Sequence, residues 1–181
     1  EIELSAEELY LRGIDDHNDN NWSGCINNFE KAISKHKRIL TAIADCRIRC
    51  SNREYEHLNP QNIEDLYFYE KMVRRTLCFM KCKRLNYPDI KFNNAPDENV
   101  VKELANLDAY LYLQGCYLKE NQNTKAASAA FTYVVRHPDN FLSKNNLKYF
   151  LELSVVDIKE ITNFEAEEYY SLYLNAVNSY N

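Results

Sequence analysis

Six cysteines, Cys25, Cys46, Cys50, Cys78, Cys82 and Cys116, carry the most pointed chemistry in this 181-residue chain. Four of them form two C-x-x-x-C pairs, Cys46/Cys50 and Cys78/Cys82. On a helix, positions i and i+4 lie a turn apart on one face. Two such helices packed antiparallel can set the pairs opposite each other as two rungs, Cys46 to Cys82 and Cys50 to Cys78. Closely packed helices bring Cα atoms within the roughly 4.4–6.8 Å that a disulfide needs. Cys25 and Cys116 then remain as a third pair or as free core thiols. This is one of the fifteen connectivities that six cysteines allow. A four-thiolate zinc site stands against it, although such sites normally use the tighter C-x-x-C spacing. Reduced core thiols are the other alternative. The even count and paired spacing favour an oxidised framework, and with it the secretory pathway. The sequon Asn21-Trp22-Ser23, in a polar turn, points the same way and makes Asn21 a candidate glycan acceptor.

Other chemistry is thin. His17-Asn18-Asp19 spells H-x-D, two of the three ligands of a non-haem iron facial triad. That triad is built on a β jelly roll with a distant second histidine, and no strand pattern occurs here, so His17 reads as a solvated helix-end residue. His137, ahead of Pro138, reads as a helix C-terminal histidine favourable to the dipole. There is no Gly-rich phosphate loop, nucleophile elbow or acidic metal cluster in the sequence, and the carboxylate pairs Glu7/Glu8 and Glu167/Glu168 fall on helix ends and faces. No catalytic residue, metal ligand or cofactor is expected in this segment.

The elements that must position the cysteines are helices. Apolar residues recur at the helical period in Trp22, Ile26, Phe29, Ile33, then in Ile39, Ile43, Cys46, Cys50, and in the long stripe Leu66, Tyr69, Val73, Leu77, Met80. Asp97 reads as the N-cap of a helix carrying Val100, Val101, Leu104, Leu107 and Leu111. Further helices are expected over about 124–136, 140–153 and 165–180, with the Asn/Pro-rich stretch 86–96 as the clearest loop. Only 3 Gly and 4 Pro occur, too few for the turns of a β-sandwich or barrel. Uncharged runs such as Ala126–Val135 fall far short of the ~20 residues of a membrane span. At 45% apolar and 27% charged residues, the chain can build a packed core. An all-α fold in a single domain over residues 1–181 is expected, with no membrane segment.

The net charge of −5 is unevenly spread. Residues 1–30 hold one arginine against eight acids, residues 31–91 hold 14 Lys/Arg against seven acids, and residues 92–181 hold seven against twelve. No nucleic-acid motif accompanies the basic block, which reads as a solvated helical face complementary to acidic neighbours.

The chain also repeats itself. Gly13 and Phe29 lie 16 residues apart, as do Gly115 and Phe131, and the two pairs are separated by 102 residues. That is three times the roughly 34-residue period of the tetratricopeptide (TPR) repeat. In that repeat a small residue on helix A lets helix B approach closely. Gly13 with Cys25, Phe29 and Ala32, and Gly115 with Ala127, Phe131 and Val134, occupy matching positions. The final helix, with Tyr170, Tyr173, Leu174, Ala176 and Val177, looks like a helix A whose partner is missing, as if the array continued. The expected fold is therefore antiparallel helix pairs in a TPR-like α-solenoid, stapled by disulfides.

Several segments resemble the amino-terminal region of the leprecan family: Trp22 to Ile33, Asp45 to Cys50, Cys78 to Cys82, Tyr112 to Tyr117, Lys125 to Tyr133, and Glu168 to Asn181. That family comprises the collagen prolyl 3-hydroxylases and the non-catalytic cartilage-associated protein. Its pattern has four C-x-x-x-C motifs where this chain has two, as a partial chain would. The resemblance implies an endoplasmic reticulum protein acting on procollagen, in a complex of hydroxylase, cartilage-associated protein and a cyclophilin. The hydroxylase members add a dioxygenase domain that uses iron and 2-oxoglutarate. Its H-x-D…H ligands are not carried over to His17 and Asp19. What remains is a non-catalytic docking domain for procollagen or complex partners, or else a structural scaffold or dimerisation domain. The 14 tyrosines include candidates to line an aromatic groove for proline-rich chains: Tyr10, Tyr67, Tyr69, Tyr110, Tyr112 and Tyr117. The oxidised framework predicts that intact mass after alkylation shows two or three bridges, opened only by reductant. Six thiols alkylated without reductant would instead indicate a reduced repeat protein.

Overall fold

The computed structural model describes residues 4–51, 64–92 and 96–180, and all its regular elements are helical. They are α1 (Ala6–Asn18), α2 (Trp22–Ser51), α3 (Glu64–Asn86), α4 (Glu98–Ala105), α5 (Ala109–Lys119), α6 (Asn123–Arg136), α7 (Phe141–Glu152), a 3₁₀ turn (Ile158–Glu160) and α8 (Glu168–Tyr180). The chain resolves into two compact units, residues 1–33 with 96–181, and residues 34–95. The sequence stripes 22–33 and 39–50 belong to one continuous helix, α2.

In the first unit the helix starts follow capping chemistry. Ser5 Oγ accepts from Glu8 N at 3.1 Å while Glu8 Oε2 accepts from Ser5 N at 2.7 Å, a reciprocal box that opens α1. Asn20 takes the left-handed conformation in the tight link to α2 (φ 59°), and Asn21 Oδ1 accepts from Gly24 N at 3.3 Å. Asp97 caps α4 as the sequence predicts, accepting from Asn99 N at 2.9 Å. The helix expected to run on from there breaks instead. Leu107 adopts φ 67°, its N–H turns back to Leu104 O, and α5 begins at Ala109. The polar pair Asn106 and Asp108 brackets that turn, and the His137 ring fixes it: Nε2 lies 2.7 Å from the Asn106 carbonyl, to which it donates. His137 thus acts through this contact rather than on the dipole alone.

The core of this unit is aromatic and small. Phe29 is fully buried, stacks on Tyr112 at 5.2 Å and meets Tyr10 edge-on at 5.3 Å. Gly13 lies directly beneath it: a Cβ there would come within 2.9 Å of the Phe29 ring. This is the small-against-large interlock that the repeat predicts, with Cys25 and Ala32 buried on the same helix. Gly115 differs. The nearest atom to a Cβ at Gly115 is His17 Nε2 at 3.9 Å, an ordinary contact, and Phe131 is only half-buried. The second Gly/Phe pair matches the first in spacing but not in packing. α6 is instead buried through Ala126, Ala127, Ser128, Ala129 and Ala130, whose small side chains let its neighbours come close. His17 is half-buried rather than solvated, its ring edge-on to both Trp22 and Tyr112.

In the second unit α3 is joined to the later part of α2 by covalent and polar contacts. Just past α3, Tyr87 donates to Asp45 at 2.7 Å and Asp89 pairs with Arg38, while within α2 Arg49 Nε donates to the same Asp45 carboxylate at 2.9 Å. The apolar stripe of α3 does not face this seam. Tyr69, Val73, Leu77 and Met80 are each more than half exposed and lie, by helical geometry, opposite Cys78 and Cys82.

These environments give two superficially equivalent glycines opposite mutational signs. Gly13→Ala is expected to lower the unfolding free energy by about 1–3 kcal/mol, because Phe29 is pinned by two other rings. Gly115→Ala is expected to raise it by about 0.5–1 kcal/mol through helix propensity alone. Denaturant titration of the two variants measures both.

Candidate functional site

All six cysteines are paired. Cys46 bonds to Cys82 and Cys50 to Cys78, with Cα atoms 5.7 and 5.9 Å apart, and Cys25 bonds to Cys116 across 6.4 Å. The two rungs arise from i, i+4 cysteines on facing helices, and the third ties the first turn of α2 to α5. Thiolate metal binding is thereby removed. The one group of three donors close enough to hold an ion among the described residues is Asp45, Cys46 and Cys82, and both its sulfurs are consumed by a bond. An open cleft of about 440 Å³ beside the rungs is lined by Arg49, Cys50, Cys78, Lys81, Cys82 and Leu85. Its charged groups are cations, with no carboxylate or imidazole in the lining to act as general base. His17 and Asp19 belong to no such donor group among the described residues. The His17 ring is wedged between aromatic rings, and Asp19 is exposed at the C-cap of α1. The geometry offers surfaces and staples.

The groove tyrosines divide sharply. Tyr10, Tyr110 and Tyr117 are buried, so they do not line an open groove. Their phenols are held in the core instead. Tyr117 donates to Glu30 at 2.6 Å and Tyr110 to Glu165 at 2.6 Å. Burial first, and the neighbouring carboxylate second, pushes each phenol above its ordinary range; Tyr10 is shifted the same way by burial and Glu103. Tyr112 is half-buried in the Phe29 stack and Tyr69 is exposed on α3, while the Tyr67 side chain lies outside the described residues. Burial also raises the Asp108 carboxyl, partly offset by Tyr133 and His137. The Arg49 bond, then Tyr87, lowers Asp45. Asn21 is exposed, and its Nδ2 donates to Asp16 at 2.7 Å.

One arrangement escapes a reading of the sequence. After α7, two backbone amides, those of Thr162 and Phe164, are received by side chains of α6. Thr162 N donates to Ser128 Oγ at 3.1 Å and Phe164 N to Thr132 Oγ1 at 2.9 Å. Ser128 and Thr132 are one turn apart and 2% and 1% exposed. The Phe164 ring stacks on Tyr110 at 6.0 Å, and the next residue, Glu165, accepts the Tyr110 hydroxyl. The available signal was the i, i+4 hydroxyl pair inside an alanine run, which periodicity treats as generic core.

Comparison with known proteins settles the ancestry. The profile described as the leprecan family TPR-like repeat region matches residues 5–181. The chain belongs to the leprecan family. Cartilage-associated protein of Mus musculus is 27% identical over 180 residues, covering 98% of this chain and 44% of that protein. Prolyl 3-hydroxylase 1 of Gallus gallus is 26% identical, covering 96% of this chain and 24% of its own length. Endoplasmic reticulum protein SC65 of Rattus norvegicus is 24% identical, covering 95% and 41%. This leprecan chain thus spans less than half of each of these relatives. Its all-helical, disulfide-stapled architecture agrees with the TPR-like family region, and no described helix is long and apolar enough to cross a membrane.

The buried phenols of this leprecan region set an alkaline limit. A phenol whose folded pKa lies above its unfolded value near 10 favours the folded state fully below about pH 10, and that contribution is lost as pH climbs further. Tyr10, Tyr110 and Tyr117 are therefore expected to ionise only as the chain unfolds. In a spectrophotometric titration, three phenolates should appear together with loss of helical circular dichroism; their free titration in folded protein would contradict the burial.

Proposed function

We propose that this chain is a non-catalytic docking domain of a cartilage-associated protein or prolyl 3-hydroxylase, working in the endoplasmic reticulum to support prolyl 3-hydroxylation of procollagen. The observation that carries it is the match of the leprecan TPR-like region to residues 5–181, in a chain whose six cysteines are all bridged. Bridged cysteines suit an oxidising compartment, and one relative is named for the endoplasmic reticulum. The candidate partners are procollagen chains and the complex subunits, namely the hydroxylase or cartilage-associated protein and a cyclophilin. Iron and 2-oxoglutarate would be the business of a separate dioxygenase domain. Asn21, exposed in its sequon, is the proposed glycan acceptor.

A helical array suits this role because it presents long surfaces on a rigid frame. Proline-rich chains dock at low ordering cost, being already near polyproline II. Unhydroxylated procollagen peptides are expected to bind the chain purified from a eukaryotic secretory host, where the intact mass should also carry a glycan at Asn21. Absence of binding at about millimolar peptide would remove the procollagen role and leave docking of protein subunits.

A second role has its own support. The exposed stripe of Tyr69, Val73, Leu77 and Met80 on α3 suits a scaffold or dimerisation domain. Light scattering separates the two: a strict monomer that binds procollagen peptide argues against the scaffold.

A further inference from the structure

The contacts between α6 and residues 161–165 have the form of peptide recognition. Hydroxyls on Ser128 and Thr132 are four residues apart on a helix, hence about 6 Å along its axis. Amides two residues apart in an extended or polyproline-like backbone are separated by about 6–7 Å. The two spacings match, so an extended backbone laid along α6 can donate alternate amides to consecutive hydroxyls. The segment enters that way: Ile161 is extended (φ −71°, ψ 123°), Thr162 N and Phe164 N make the two bonds, and residues 163–166 then turn. Tyr110 adds side-chain selection by stacking on an aromatic ring and donating to the acid that follows it. In the flanking stretch Val155 and Ile158 are each 66% exposed, while Val156 between them is buried.

We propose that the α5/α6 face is a docking site for a short peptide segment of a partner protein, with two alternate free amides followed by an aromatic-acidic pair, and that Thr162–Glu165 is its built-in competitor. The site names where the docking role proposed above would be exercised toward a protein subunit, and depends on that role. The spacing decides against the all-proline triplets of procollagen as its occupant. In chains with proline at both positions between glycines, an amide recurs only every third residue, about 9 Å apart in polyproline II, which cannot serve both hydroxyls.

A tether supplies an effective concentration in the millimolar range, so a peptide copy of the segment competes only when the tethered copy is loosened. The test titrates a capped peptide of residues 157–167 into the isotope-labelled full chain and into Phe164→Ala/Glu165→Ala, following amide shifts along α6. The loosened variant is expected to bind with millimolar affinity at least about tenfold tighter than the unaltered chain, and adding Thr132→Val should abolish binding. Glu165→Gln serves as the milder loosening, should the double variant lose helix content. Hydrogen exchange gives a second readout: Thr132→Val should expose the Phe164 amide at least about tenfold while sparing Thr162. Equal binding to loosened and unaltered chains, or none to either loosened variant at about 10 mM peptide, overturns the site. Procollagen peptides are run in parallel. Their binding, unmoved by Thr132→Val, would keep the docking role while the α6 site fails; their displacement by Thr132→Val would show that procollagen occupies it and overturn the assignment to a protein partner.

Discussion

The bond between Cys25 and Cys116 closes a 91-residue span, and the first unit depends on it. That unit is made from two distant stretches of sequence, residues 1–33 and 96–181. In a loop-entropy picture, a closure of this length removes about 4–5 kcal/mol of freedom from the unfolded chain. It also sets the register at which α5 meets the first turns of α2. Within that register Phe29 finds Gly13 below and Tyr112 beside it, and the Tyr117 hydroxyl reaches Glu30. The aromatic core is thus the consequence of a covalent constraint as much as of hydrophobic patterning.

Buried phenol–carboxylate pairs carry the same logic outward. Buried hydroxyls usually find an acceptor, and Glu30 and Glu165 supply one to Tyr117 and Tyr110. Because Glu165 sits on the irregular segment after α7, satisfying Tyr110 also anchors that segment. The polar accounting of α5 therefore positions a piece of chain that is irregular apart from the 3₁₀ turn Ile158–Glu160.

Much of this was legible in the residues. Helix class, the Asp97 cap, the C-terminal end of α3, the ends of α6, the Gly13–Phe29 interlock and the leprecan kinship all follow from local spacing or motif. Other features are set by tertiary geometry that local spacing does not encode. The break at Leu107 interrupts a good apolar period because His137, 30 positions on, bonds the carbonyl of Asn106. Gly115 repeats the spacing of Gly13, yet its neighbour is His17 from α1. Tyr10, Tyr110 and Tyr117 look like groove linings by type, but their burial depends on which helices close over them. The 153–167 segment carries no periodic signal at all, so its seat on Ser128 and Thr132 emerges only in three dimensions.

The orientation of α3 has a consequence for assembly. Ordinarily apolar faces find each other first and cysteines crosslink what is already packed. Here the greasy side of α3 points away from α2, and the seam holds sulfurs, an Asp45–Tyr87 bond and an Arg38–Asp89 pair. The two rungs therefore fix α3 on α2 covalently while the stripe of Tyr69, Val73, Leu77 and Met80 stays on the outside, so the sulfur bonds lock in which side of α3 remains presented.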